Sequence, residues 1–319
     1  MNITGNETVY FITIYTLLAI FIISLLLVVI TCNNNKNEKH KKQKEQYNNS
    51  IKVADTIIYP DTYIFEENKV FVCLTTIPDR IKTLWFYTNI IRFLKILENT
   101  NIVLFISIPY KTRLSDIDYN IPANLLELEK ENDNLILYRC NDYGPFTKVS
   151  GPLLCDDISD DSCIIICDDD QLYNRRLFVH LALAVYHHQQ QVISPFPIKK
   201  MYVNSRGNAI RQSGPWIDEN IAKEIMGYQS FAFVKKLLLP MLNIDIPDSC
   251  YRIDDHTISF YLEKNNINIV YLHKNRSKLN KYVNRPKDVP NWVKLNEDEI
   301  DNKRFYMIEE CRADFGLKG

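Results

Sequence analysis

Apolar positions are arranged in three ways along this chain. From Val9 to Thr31 they form one uncharged run dominated by Ile, Leu, Val and Phe. That run is long enough to cross a hydrocarbon layer of about 30 Å. No Lys or Arg precedes Lys36, and bulky Leu27, Val28, Val29 and Ile30 lead straight into Cys32, so the run reads as an uncleaved anchor behind a short tail, 1–8. Residues 33–50 are mostly Asn, Lys, Gln and Glu, and 32–68 reads as a polar stalk or linker. From residue 69 onward, short apolar blocks alternate with stripes of helical spacing. Val70–Leu74, Ile102–Ile108, Leu135–Cys140, Cys163–Cys167 and Ile267–Leu272 read as strands. Residues 81–97, Arg175–Gln190 and 255–264 read as helices, the first through Trp85, Ile90, Ile91, Leu94 and Leu97. Phe231–Leu239 is apolar without a clear period, and Ser194–Tyr228 is irregular. This alternation predicts an α/β domain over 69–279, with a mostly parallel sheet flanked by helices and a charged extension at 280–319.

Charge and cysteine usage narrow the setting. The net charge is −1, with no basic surplus, which argues against a nucleic-acid partner. Lys36, Lys39, Lys41, Lys42 and Lys44 follow the apolar run while Glu7 precedes it, so the positive-inside rule puts the large domain in the cytosol of a single-pass protein. Eight cysteines are scattered without a C-x-x-C pair, which argues against a zinc site. Cys73, Cys140, Cys163 and Cys167 fall in or beside strands, where a thiol acts as a small hydrophobe. That usage fits a reducing compartment.

The chemistry gathers at strand ends. Cys163-Ile164-Ile165-Ile166-Cys167 stops at Asp168-Asp169-Asp170, and three adjacent carboxylates invite a cation. In open α/β sheets ligands bind at the carboxyl ends of the strands. Thr75–Arg80, Asn141–Lys148 and the Asp254-Asp255 pair supply further polar groups beside strands or at helix starts. A divalent ion bridging aspartates to a diphosphate, beside a carboxylate able to take a proton, describes a group-transfer site. Each feature also has a plain counterpart. Asp142 suits an Asx turn before Gly144-Pro145, the acidic pair suits a helix start, and His273 suits an ordinary strand end.

The Asp168-Asp169-Asp170 triplet after its apolar strand resembles the D-x-D motif of GT-A-fold, Rossmann-like nucleotide-sugar glycosyltransferases. Leu74-Thr75-Thr76-Ile77-Pro78-Asp79-Arg80, Asp142-Tyr143-Gly144-Pro145-Phe146-Thr147-Lys148 and Asp254-Asp255 resemble, in that order, one bacterial and viral branch of family-2-like members. The resemblance implies Mn²⁺ or Mg²⁺ held by Asp168 and Asp170, with His273 as a further ligand. It implies a nucleotide-sugar pocket lined by Thr75, Arg80, Asp142, Lys148, Asp168 and Asp169. It implies Asp255, or Asp254, as the base that deprotonates an acceptor hydroxyl, with inversion at the sugar. The acceptor, whether glycan, lipid or protein, is not encoded. Met226–Ser230 departs from relatives that carry an acidic residue and a Gly-rich turn there. Two other classes stand beside this one. A nucleotidyltransferase would want a Gly-rich triphosphate loop, and Thr75–Arg80 has no glycine. An anchored binding protein would keep the fold without turnover.

Overall fold

The computed structural model describes residues 60–113, 116–196, 225–251, 253–272, 283–284 and 306–317, together with Glu38 and the backbone of 201–203, 209–211 and 297–305. The anchor expected at 9–31 lies outside these residues, as does His273. No helix among the described residues is long and apolar enough to cross a membrane.

Eleven strands and eight helices are described. The strands are β1 (Val70–Thr75), β2 (Val103–Pro109), β3 (Leu135–Cys140), β4 (Cys163–Ile166), β5 (Leu172–Tyr173), β6 (Val192–Ser194), β7 (Met201–Val203), β8 (Ala209–Arg211), β9 (Phe231–Val234), β10 (Ile269–Tyr271) and β11 (Val283–Asn284). The helices are α1 (Pro78–Ile81), α2 (Leu84–Leu97), α3 (Ala123–Glu131), α4 (Thr147–Leu154), α5 (Arg175–His187), α6 (Lys235–Leu238), α7 (Asp254–Lys264) and α8 (Glu297–Asp314). Seven strands form one sheet in the order β10-β6-β9-β4-β1-β2-β3, with all neighbours parallel except β9, which runs against β4 and β6. β5 pairs with β11 and β7 with β8 as small antiparallel ribbons.

The apolar blocks lack a two-residue alternation because both sheet faces are covered. Val70, Val72 and Leu74 of β1 join a core with α2 and α5 on one face. Phe71 and Cys73 point the other way, into a core with α4 and α7. The chain before β1 is docked too: the Phe65 N–H donates to the Thr100 carbonyl at 3.0 Å, and Asn101 Nδ2 donates to the Phe65 carbonyl at 2.9 Å.

Two features depart from the sequence pattern. The apolar stretch after Ser230 is a buried antiparallel strand followed by the helical turn α6, and β6 occupies three residues, 192–194, between the expected helix and the segment read as irregular. Such short elements carry too few residues to show a period. The second departure concerns the reducing-compartment reading. Cys250 and Cys311 form a disulfide that closes a 61-residue separation. Within the segment read as a charged extension, Ile308, Cys311 and Phe315 are buried in the second core.

Helix α4 packs on β2 through Gly151. A Cβ built there would lie 2.7 Å from the Ser107 Cβ, closer than atoms pack. In an open helix Ala would be preferred to Gly by up to ~1 kcal/mol. Gly151→Ala is therefore expected to reverse that preference and lower stability by about 1–3 kcal/mol through overpacking, read from the denaturant midpoint. A rise in the midpoint would contradict the close approach.

Candidate active site

The site lies at the carboxyl ends of β1 and β4. β4 ends at Ile166, and Asp168, Asp169 and Asp170 follow it on the rim. The three side chains have different surroundings. Arg80, at the end of the β1 loop, forms a buried ion pair with Asp169. Asn89 of α2 donates to the Asp169 carbonyl at 2.9 Å. Burial lifts Asp169 to about 6, against the opposing pull of Arg80 and the Thr76 hydroxyl. Asp168 faces Lys148, whose Nζ lies 2.6 Å from Asp168 Oδ1 and 2.8 Å from Asp254 Oδ2. Asp170 accepts from its neighbour Gln171 at 2.9 Å.

The other half of the site comes from α7. Asp254 and Asp255 occupy its first turn, where exposed N–H groups favour negative charge. Both are buried. Asp255 Oδ1 accepts the Gly227 N–H at 2.8 Å. Gly227 belongs to the 226–230 segment, and the topology explains its presence. Because β9 is antiparallel to β4, with Ile166 opposite Phe231, the residues that enter β9 lie beside those that leave β4. A Cβ on Gly227 would stand 2.5 Å from Lys148 Nζ, 2.8 Å from Asp168 Oδ1 and 3.1 Å from Asp255 Oδ1. A side chain here would push these groups from their places.

Tyr173 ties the two halves together. Its hydroxyl accepts the Asp168 N–H at 3.0 Å and lies 3.3 Å from the Tyr228 carbonyl and 3.4 Å from that of Gly227. Ser230 completes the bend in the left-handed region, φ 69°, with its hydroxyl donating to the Ile166 carbonyl at 2.7 Å. Asn89, Tyr173 and Gly227 were not singled out as site residues by the sequence. Their types are unremarkable at their positions, and only the strand order brings them here.

Thr75 and Asp142 are engaged elsewhere. The Thr75 hydroxyl donates to the Ser107 carbonyl at 2.8 Å, and the adjacent Thr76 is the threonine beside Asp169. Asp142 Oδ1 accepts from the Gly144 N–H at 2.7 Å, the Asx turn before Gly144-Pro145. Its Oδ2 accepts from the Arg113 N–H at 2.7 Å and the Tyr251 hydroxyl at 3.1 Å. Asp142 thereby holds together the loop after β2, the entry to α4 and the segment before α7.

Electrostatically the site is overloaded with negative charge. Five carboxyl groups, Asp168, Asp169, Asp170, Asp254 and Asp255, face two cations, Arg80 and Lys148. Burial raises Asp255 to about 8, with Asp254 and Asp168 adding to the rise and Lys148 opposing it. Burial also raises Asp168 against the pull of Lys148. For Lys148, burial alone would favour the neutral amine, but Asp168, Asp254 and Asp255 hold its pKa well above the usual value.

This donor set bears on the expected metal. Among the described residues no group of three or more His, Cys, Asp or Glu is placed to hold an ion by protein atoms alone. Asp168 gives one oxygen to Lys148 and Asp170 gives one to Gln171, so each keeps a second. A hard cation can use one or two carboxylates and complete its shell with water and phosphate oxygens. The residues fit a Mn²⁺ or Mg²⁺ shared with a phosphate ligand and do not fit a closed protein cage.

Removing the central cation is expected to be costly. In the unfolded chain Asp255 holds its proton only up to about pH 4, whereas in the folded chain it does so up to about 8. The folded state therefore binds more protons between these limits, and stability falls as pH rises through that window. Lys148→Met leaves three carboxylates uncompensated and steepens that fall. The expected loss is about 3–5 kcal/mol at pH 8 and smaller at pH 5, read from denaturation midpoints. Equal losses at both pH values would contradict the arrangement.

No family model matches the chain, and no curated protein matches it. Among solved structures, the chain is similar to a mannosyltransferase from Pyrobaculum calidifontis in complex with GDP-Man and Mn²⁺, at 12% identity and a TM-score of 0.42. That match covers 73% of this chain, which spans 63% of the length of the mannosyltransferase.

Proposed function

We propose that the chain is a membrane-anchored, metal-dependent glycosyltransferase of the GT-A kind, transferring a sugar from a nucleoside-diphosphate donor to an acceptor hydroxyl with inversion. The observation that carries this reading is the convergence on one rim of Lys148, Asp168 and the Asp254-Asp255 pair, from segments far apart in sequence. Membrane attachment rests on the apolar run 9–31.

In the proposed reaction the bond between the anomeric carbon and the phosphate oxygen breaks, and its electron pair leaves with the nucleoside diphosphate. The acceptor oxygen bonds to the anomeric carbon from the opposite face, and its proton passes to Asp255. Asp168 and Asp170 would hold the divalent cation, which neutralises charge on the departing diphosphate. Lys148 supplies a second positive charge beside Asp168, and Arg80 keeps Asp169 from adding to the repulsion. The Gly227 N–H fixes the Asp255 carboxyl through one oxygen. A nucleotidyltransferase is disfavoured by the glycine-free Thr75–Arg80 turn.

The full-length chain in detergent tests this with UDP-sugars and GDP-sugars as candidate donors, a CMP-sugar as monophosphate comparison, and Mn²⁺ or Mg²⁺. Release of nucleotide from one diphosphate donor is expected, lost with chelator and lowered at least 100-fold by Asp170→Ala. Metal-dependent nucleotide binding without release would instead favour an anchored binding protein. Silence in both assays would refute the proposal.

The pH profile gives a second test. A base must be ionised to accept a proton, and Asp255 is raised to about 8. The rate is expected to climb with pH, close to tenfold per unit below that value. Asp255→Asn is expected to abolish the climb together with most of the turnover. A wild-type rate flat between pH 5 and 8 would remove Asp255 from the role of base.

A further inference from the structure

The C-terminal helix closes on the helix that carries the acid pair. Cys250 ends the turn Asp248–Cys250, just ahead of α7, and is bonded to Cys311 on α8. The Thr257 hydroxyl lies 3.1 Å from the Cys250 carbonyl and 3.0 Å from that of Ile253, tying the bonded cysteine to the first turn of α7. On the same side, Ser249 Oγ donates to Asp314 at 2.7 Å. At the far end of α7, Arg312 pairs with Glu263 at 3.0 Å and lies over the Phe260 ring, and the Lys264 ammonium lies over Phe315. The disulfide is the only covalent element in a set of contacts that grips α7 at both ends among the described residues.

The other described cysteines do not oppose an oxidising setting. Cys73, Cys140, Cys155, Cys163 and Cys167 are all buried, so no described thiol is both free and exposed. Structural disulfides form and persist where thiols are oxidised, and are rare where they are kept reduced.

We propose that the Cys250–Cys311 bond is a clamp that sets the first turn of α7, so that Asp254 and Asp255 reach their places only in a domain matured in an oxidising compartment. This is the opposite side of the membrane from the one read from the lysines after the apolar run. Closing the bond removes a hydrogen from each thiol. By thiol–disulfide exchange the two electrons and two protons pass to the disulfide of an oxidising partner protein, which leaves as a dithiol. The clamp concerns assembly of the site and holds whether or not the sugar-transfer reading does.

The full-length chain, isolated from membranes without reductant, provides the test. Free thiols are capped with N-ethylmaleimide after denaturation, and peptides are mapped before and after dithiothreitol. Cys250 and Cys311 are expected to be linked and uncapped until reduction. Reduction of the folded protein is then expected to speed amide exchange over 253–264 at least tenfold while leaving β1 and β2 unchanged. Capping of both thiols in the unreduced chain would overturn the proposal, as would an unaltered exchange rate in α7 after reduction. Faster exchange throughout the sheet would also overturn it, since the bond would then stabilise the fold at large. Cys311→Ser, if it folds, is expected to reproduce the reduced pattern.

Discussion

The site depends on one buried ammonium. Lys148 stands between Asp168 at the end of β4 and Asp254 at the start of α7, and those carboxylates come from parts of the chain 86 residues apart. Without it, like charges would meet in a medium that screens them poorly, at a cost of several kcal/mol. With it, the cluster still carries more negative charge than positive. Burial first, and the neighbouring Asp254 and Asp168 in addition, let Asp255 keep its proton up to about pH 8. A further cation, or a proton on one of the carboxyl groups, would offset that excess when an anionic ligand enters. The proposed sharing of a divalent ion with a diphosphate follows from that imbalance more directly than from the presence of aspartates as such.

The fold delivers this arrangement through two features of topology. Parallel strands place the ends of β1 and β4 on one rim, which brings Arg80 to Asp169 and α4 to Asp168. The single reversed strand, β9, brings the 226–230 turn to the same rim. Gly227 can approach three charged groups because it has no side chain, and its N–H orients Asp255. Tyr173 then joins the turn to the aspartate triplet through one hydroxyl. The same segment looked, as a sequence, like a departure from the expected acidic turn.

What was legible in the sequence follows from what local pattern encodes. β3 has the bounds its apolar block predicts, and β1, β2 and β4 match theirs within a residue or two. β1, β2 and β4 are buried on both faces and almost wholly apolar, whereas β3, at the sheet edge, is half-buried and carries Arg139. Arg80, Lys148, Asp168, Asp169, Asp254 and Asp255 were marked because charge beside an apolar strand or at a helix start is conspicuous, and the structure gathers them. Thr75 and Asp142 carried similar signals, but their oxygens serve the backbone of neighbouring segments. Asn89, Tyr173 and Gly227 had no such mark, because their roles come from tertiary pairing. The partnership of Cys250 and Cys311 was equally invisible, since spacing does not reveal which thiols meet.

The most direct test of the account is a calorimetric titration of Mn²⁺ into the full-length chain at pH 8, alone and with UDP or GDP present. If the charge imbalance is resolved by a cation shared with a diphosphate, Mn²⁺ alone binds weakly. One of the two nucleotides then tightens it by roughly tenfold or more, and by linkage Mn²⁺ tightens that nucleotide by the same factor. Equal Mn²⁺ affinity with and without either nucleotide would contradict the account, as would nucleotide binding that survives chelation unchanged.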